Sequence, residues 1–359
     1  MLITLPNIEV TFKQLASNFI KRSERGIAVL IIRDDTNKTF TTKEYKKIEE
    51  LNQDNALYTK LNLQYMNDVL RFGVTKLVVI RIDIAGVITE ALTLIEKTVK
   101  TGWITTVGTL ADYTSIVTWI KSKEALGETY KAITYKATTP GSKHIVNLYN
   151  EKVIFTDDRA EQTADKYLPS LLGILASCNV EKGSTYFECD NLIRVQEVTD
   201  NTAALNLGQF ILINDFDKVK IGLGINSLIE FIGNNTDDMR YIDIVETMDI
   251  IIDDVRNTFK NNYISKYKNN IDNQILFISA VNTYFKALAK EEVLDINYKN
   301  YSDVNIAAQR DAWVKIKPEA EQWDDIKVKN NAFKRNVFLA GDIKILAAME
   351  NLKFNISMF

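Results

Sequence analysis

The 359-residue chain contains a single histidine, His144. Lacking a second imidazole, it has no HExxH zinc site, no multi-histidine metal centre and no reaction needing two imidazoles. A Ser-His-Asp triad built on His144 would need a positioned serine and carboxylate, and there is no GxSxG elbow. His144 follows Pro140-Gly141-Ser142-Lys143, a loop entry, and is expected to be a solvated or capping residue. Phosphate-binding loops are missing as well. No GxxxxGK[ST] occurs, and Gly222-Leu223-Gly224 lacks the third glycine of GxGxxG and a following helix. The two cysteines, Cys178 and Cys189, form no CxxC pair and read as reduced structural thiols. No Lys/Arg run suggests a nucleic-acid groove. The longest apolar runs, such as Ile27 to Ile32 and Lys76 to Ile82, are strand-length and fall short of the roughly 18 residues a membrane span needs. Residues 1–12 show no basic segment followed by an apolar core. The expectation is a chain made and folded in the cytoplasm, with no catalytic residue, cofactor or metal, no nucleic-acid partner and no membrane insertion.

What is present is ordinary for a folded protein. Hydrophobic residues make up 46% and charged residues 25%; 44 basic residues nearly balance 47 acidic ones, for a net charge of -3. A core is affordable at this length. From Ile27 onward, apolar strand-length runs alternate with segments of helical period. Strands are predicted at 27–32, 75–83, 103–107, 130–136, 145–149, 152–155, 210–214 and 219–223. Helices are predicted at 54–71, 86–100 and 110–124, with a further one capped by Thr156 and running to Ala176. This alternation predicts an α/β sheet with covering helices.

Near residue 235 the character changes. Thr236-Asp237-Asp238 starts a helix, with an N-cap oxygen followed by acids at the positive end of the dipole. Residues 239–262 then carry Tyr241, Val245, Met248, Ile252, Val255 and Phe259 on one face. Asp243, Asp249, Asp253 and Asp254 lie on the same helix, and Asp249 and Asp253 can meet at four-residue spacing. A metal pair is one reading; a solvated acidic face, or one that meets a basic partner, is the other. A second amphipathic helix is predicted at 272–290 and a short third at 303–313.

Both ends alternate like strands. Ile8, Val10 and Phe12 interleave with polar residues, and Leu352, Phe354 and Ile356 do the same up to the last residue. Residues 337–347 read as a further strand. Either the two ends pair as edge strands within their own domain, or they pair with neighbouring subunits by β-augmentation.

Several segments resemble the phage tail sheath protein family. Thr236-Asp237-Asp238-Met239-Arg240-Tyr241 through Arg256 is similar to the first helix of its C-terminal domain, and Asn257 through Lys266 to the segment that follows. Val337-Phe338-Leu339-Ala340-Gly341-Asp342, then Ala348-Met349-Glu350, resembles its closing strands. Leu5 through Lys13 and Arg25-Gly26-Ile27-Ala28 are similar to its start. The resemblance implies an α/β sheath domain of subtilisin-like topology, and a helical C-terminal domain facing an inner tube, with a small sheet completed by terminal arms. The organisation expected is an N-terminal arm at 1–22, an α/β domain at 23–235, C-terminal-domain helices at 236–335, and strands and arm at 336–359. No room is left for the β-sandwich insertion that many relatives carry.

It further implies a structural, non-enzymatic subunit of a contractile tail or R-type bacteriocin. Its partners would be itself, the inner tail tube, the baseplate and the terminator. Subunit contacts would come from Ile8, Val10, Phe12, Leu352, Phe354 and Ile356; Arg310 and Lys315 are candidates to face the tube. Such a protein would assemble in the bacterial cytoplasm and end in a virion or released particle. Two alternatives remain at this point: an α/β hydrolase-like enzyme, and another tail component such as a terminator or baseplate protein.

Overall fold

The computed structural model describes residues 20–23, 25–178 and 182–358. Ile8, Val10 and Phe12 lie outside them. Contacts divide the described chain into two units, one of residues 23–251 with 345–358, the other of residues 20–22 with 252–344.

The first unit is organised by strand β1 (Ile27–Arg33), whose residues from Ile27 to Ile32 are all buried. After β1 come β2 (Thr42–Tyr45), α1 (Ile48–Gln53), α2 (Lys60–Leu70) and β3 (Lys76–Ile82). Next are α3 (Ile88–Thr98), β4 (Gly102–Thr106), α4 (Leu110–Ala125), β5 (Tyr130–Tyr135) and β6 (Ile145–Leu148). They build a six-stranded sheet in the order β2-β3-β1-β4-β5-β6, parallel except for edge strand β2. Near-continuous apolar strands such as β1 and β3 are what a parallel sheet covered on both faces requires.

The chain goes on through β7 (Lys152–Phe155), β8 (Glu161–Thr163), α5 (Leu168–Ser177) and β9 (Leu192–Val195). Helix α5 is buried from Leu168 to Ala176. It lies so close to α2 that a Cβ on Gly173 would sit 2.5 Å from the Val69 carbonyl oxygen. Strands β8, β7 and β9 form a small antiparallel sheet. After α6 (Asn201–Asn206), β10 (Leu212–Asp215) and β11 (Lys218–Ile221) make a hairpin. Then comes α7 (Ile242–Thr258); the division between the units falls within it, at Ile251/Ile252.

The second unit continues from α7 through a π-helical turn, Phe259–Tyr263, into α8 (Ile271–Lys290). Strand β12 (Tyr301–Val304), α9 (Ile306–Val314), α10 (Asp325–Asn330) and β13 (Leu339–Asp342) follow. β12 and β13 pair antiparallel, Tyr301 opposite Asp342 and Val304 opposite Leu339. At the start of this unit Arg22 pairs with Glu291 and lies over the Tyr284 ring. The Tyr284 hydroxyl donates to Asp254 at 2.7 Å.

The mixed α/β class expected from the alternation is the class observed. Several local readings differ, among them the helix read at 303–313, whose first residues belong to β12 and which starts only at Ile306. Thr156 starts no helix: Asp157 and Asp68 both bind Arg159 and hold residues 157–160 as a turn before β8. The segment 54–71 is broken, because Thr59 caps a new helix by accepting from the Asn62 backbone N–H. The strand read at 337–347 is only Leu339–Asp342, since β12 supplies just four ladder partners.

Candidate functional site

In the six-stranded sheet the connections reverse direction between β1 and β4. In open parallel sheets the crevice beyond the C-terminal strand ends at such a point is the usual ligand site. Here a bidentate ion pair bridges it. Arg33, ending β1, donates to both oxygens of Asp112 on α4, at 3.2 and 2.7 Å, and to the Gly86 carbonyl at 3.4 Å. Asp112 also accepts from the Thr109 backbone N–H at 2.8 Å and closes a capping box. Burial would raise the Asp112 pKa, but Arg33 and the Thr109 N–H hold the carboxyl below its usual range.

At the opposite strand ends lies a cluster of buried ionisable groups. Glu246 and Asp249, one turn apart on α7, meet donors from three neighbouring strands. Trp103 of β4 donates its indole N–H to Glu246 at 2.9 Å. Lys131 of β5 donates to Glu246 at 3.1 Å and to Asp249 at 3.2 Å. The His144 Nε2, just before β6, lies 3.0 Å from Asp249 Oδ1. Its Nδ1 is 3.3 Å from Glu124 Oε2, close enough for charge attraction without hydrogen-bond alignment. Burial favours neutral imidazole; the two carboxylates outweigh it and push the His144 pKa up to about 9. Asp249 is held below its usual range by Lys131 and His144 against its own burial. The expectation of a solvated or capping His144 is therefore corrected: it is 4% exposed and carries charge inside the protein. Of the α7 acids, Asp249, Asp253 and Asp254 are buried and Asp243 is half-buried, so they form no solvated face; Asp249 meets the basic partners Lys131 and His144, the other form expected of an acidic face. Among the described residues no group of acids, histidines and cysteines is arranged to hold a metal ion.

The residues predicted to join subunits and to face the tube fall in different places. Leu352, Phe354 and Ile356 are 91%, 74% and 72% exposed, in a tail with no regular structure from Asn351 to Met358. The tail is anchored just before this. The Ala348 N–H reaches Asp243 at 3.4 Å, and Thr185 donates to Glu350 at 2.6 Å. Arg310 sits on α9 and donates to Asp325 at 2.6 Å and to the Trp323 carbonyl at 3.2 Å. Lys315 caps the same helix and is exposed.

The α/β unit thus ends in a tail of apolar residues that no described element covers. Residues 234–359 match the phage tail sheath C-terminal domain. The chain is similar to phage tail sheath proteins along its whole length. It is 29% identical over 367 residues to the tail sheath protein of Clostridium phage phiCD119, covering 99% of both chains. It also shares its fold with the sheath tail protein of Desulfitobacterium hafniense, with a TM-score of 0.69 at 14% identity over 83% of this chain and 94% of that one. The sheath of an extracellular contractile injection system, PVC, solved in its contracted state, gives a TM-score of 0.68 at 10% identity over 99% and 98%. The proteins matched are structural sheath proteins, not enzymes.

Proposed function

We propose that this chain is the structural subunit of a contractile tail sheath. It polymerises as a helical tube around an inner tail tube and contracts to drive that tube through a target envelope. The observation that carries this reading is the tail. Leu352, Phe354, Ile356 and Met358 alternate with Lys353, Asn355 and Ser357, and all of these residues are exposed. An apolar alternation without a covering sheet is an aggregation hazard in a monomer and a connector in a polymer. Backbone pairing by such arms, with Ile8, Val10 and Phe12 at the other end, would tether subunits while allowing them to rotate as rigid bodies. Each ladder bond contributes only about 0.5–1.5 kcal/mol net, so the tether strength comes from repetition along the tube.

A head-to-tail interface that does not close generates a helix. The extended form would be kinetically trapped above a lower-energy contracted form. The expected partners are further copies, the inner tube, the baseplate and the terminator. Assembly would occur in the bacterial cytoplasm, and the product would be a virion tail or an R-type bacteriocin.

Electron microscopy of the purified protein, alone and with the inner tube protein, tests the reading. Long hollow tubes are expected. Rings would identify a terminator instead, and monomers at every concentration would defeat the proposal.

A further inference from the structure

The hairpin joining β10 and β11 turns through only two residues, Phe216 and Asp217, with Asp215 paired opposite Lys218. Two-residue hairpin turns of this kind need positive φ at the first central position, where glycine, asparagine or aspartate normally stands. Here the residue is phenylalanine, at φ 55°. Its ring is 97% exposed. The free subunit is therefore disfavoured twice, by left-handed backbone strain on a bulky residue and by a bare aromatic ring. Covering the ring with another protein surface removes the second of these costs.

The second unit contains a receptor of matching chemistry. A groove of about 720 Å³ opens beside the π-helical turn. Its aromatic lining is Phe259, Tyr263, Tyr267 and Phe277, with the Tyr263 and Phe277 ring centroids 4.8 Å apart. Single-turn π-helices of this sort are frequent at functional sites. Gln274, 3% exposed, also lines the groove; its Nε2 donates to Asn269 while its Oε1 has no partner among the described residues. The rim carries Lys268, Lys334 and Arg335, all exposed, and no carboxylate among the described residues pairs with them. Asp217 at the hairpin tip is exposed and is likewise without an ion-pair partner among the described residues. An aromatic knob beside an acid thus has, on the same chain, an aromatic-lined groove with a cationic rim.

We infer that the Phe216–Asp217 hairpin tip of one copy docks into the Phe259/Tyr263/Phe277 groove of a second copy, Asp217 facing Lys334 and Arg335. The contact is heterologous, so it propagates instead of closing a dimer. It rests on the polymerising function proposed above and adds a specific subunit contact to it.

The test uses full-length protein and reads polymer by pelleting and electron microscopy. Phe216→Gly relieves the turn strain, so its monomer should melt no lower than wild type while the concentration needed for polymer rises by at least about tenfold. Asp217→Lys alone, and Lys334→Glu with Arg335→Glu alone, should each fail to polymerise under conditions that suffice for wild type. An equal mixture of those two proteins should polymerise. In an alternating chain each reversed knob meets a reversed groove, and each native knob a native one. Failure of the mixture would overturn the pairing, and normal assembly of the Phe216→Gly protein would overturn the knob, with the sheath reading standing in either case. Wild-type protein that forms no polymer at all would overturn both.

Discussion

His144 and Asp249 lie 105 residues apart in the chain and 3.0 Å apart in space. The contact ties the loop before β6 to α7, and it joins two ionised groups. A histidine pKa of about 9 in the folded protein against 6.5 without its partners means the folded state binds the proton more tightly. The stabilisation is fully present below pH 6.5 and is lost as pH rises to 9. Asp249 and Glu124, both held low, act in the opposite sense and lose their contribution at acid pH as they protonate. Urea titrations from pH 6 to 10 should show wild-type stability falling across that window by an amount on the order of 3 kcal/mol. His144→Gln should be less stable at pH 6.5 and nearly flat above it. A slope of equal size in the variant would mean that another group is responsible.

Lys131 should be harder to replace than His144. It is 2% exposed and is held by both Glu246 and Asp249. Lys131→Met fills the space but leaves two buried carboxylates short of a cation, a change expected to cost about 3–5 kcal/mol. Adding Glu246→Gln should recover part of that loss, because it removes one uncompensated charge. Denaturant midpoints for the single and double variants decide this, and a double variant weaker than Lys131→Met would contradict it.

Much of the α/β unit is legible in the sequence because its strands are continuous apolar runs and its helices keep a 3.6-residue period. Ile27 to Ile32 and Leu77 to Ile80 can only be buried strands once helices flank them. The charged cluster is not legible in the same way. The apolar stripe on α7 places its acids on the opposite face, which reads as solvent-facing, yet Glu246 and Asp249 are covered by β4, β5 and β6. The signal available was Lys131, a lone cation inside the apolar run Tyr130–Tyr135, since a lysine buried there demands carboxylate partners. The tail shows the reverse limit. Its alternation is strand-like, but a strand forms only where a ladder partner exists, and the described residues of this chain provide none.

Arg310 and Lys315 should separate experimentally, although both were candidates to face the tube. Arg310 is committed to Asp325 and the Trp323 carbonyl, so Arg310→Glu sets two acids together and should lower the melting temperature of the isolated protein. Lys315 ends α9 in solvent with no such tie. Lys315→Glu should leave melting unchanged and reduce co-sedimentation with the inner tube protein. The effect should weaken at high salt, where exposed charges are screened. Unchanged co-sedimentation would move the tube contact elsewhere.

Deleting Leu352 to Phe359 should leave folding intact. The described part of this segment contributes no strand, and its side chains at Leu352, Phe354, Ile356 and Met358 are all more than 70% exposed. The last ties of the tail to the α/β unit are at Ala348 and Glu350, which the deletion spares. A truncated chain should therefore melt cooperatively within a few degrees of wild type, since surface changes away from packed features shift stability by at most about 0.5 kcal/mol. Its solubility should rise, because a run of exposed apolar residues able to pair edge to edge is gone. Assembly should be lost, because the tether proposed above is gone. Replacing Phe354 and Ile356 together by Ser keeps the chain length and backbone donors while removing the apolar face, and should give an intermediate loss. The measurement is tube formation by electron microscopy beside a thermal melt of the same sample. Ordered tubes from the truncated protein, or a truncated protein that fails to fold, would show that the tail belongs to the subunit itself and not to its neighbour.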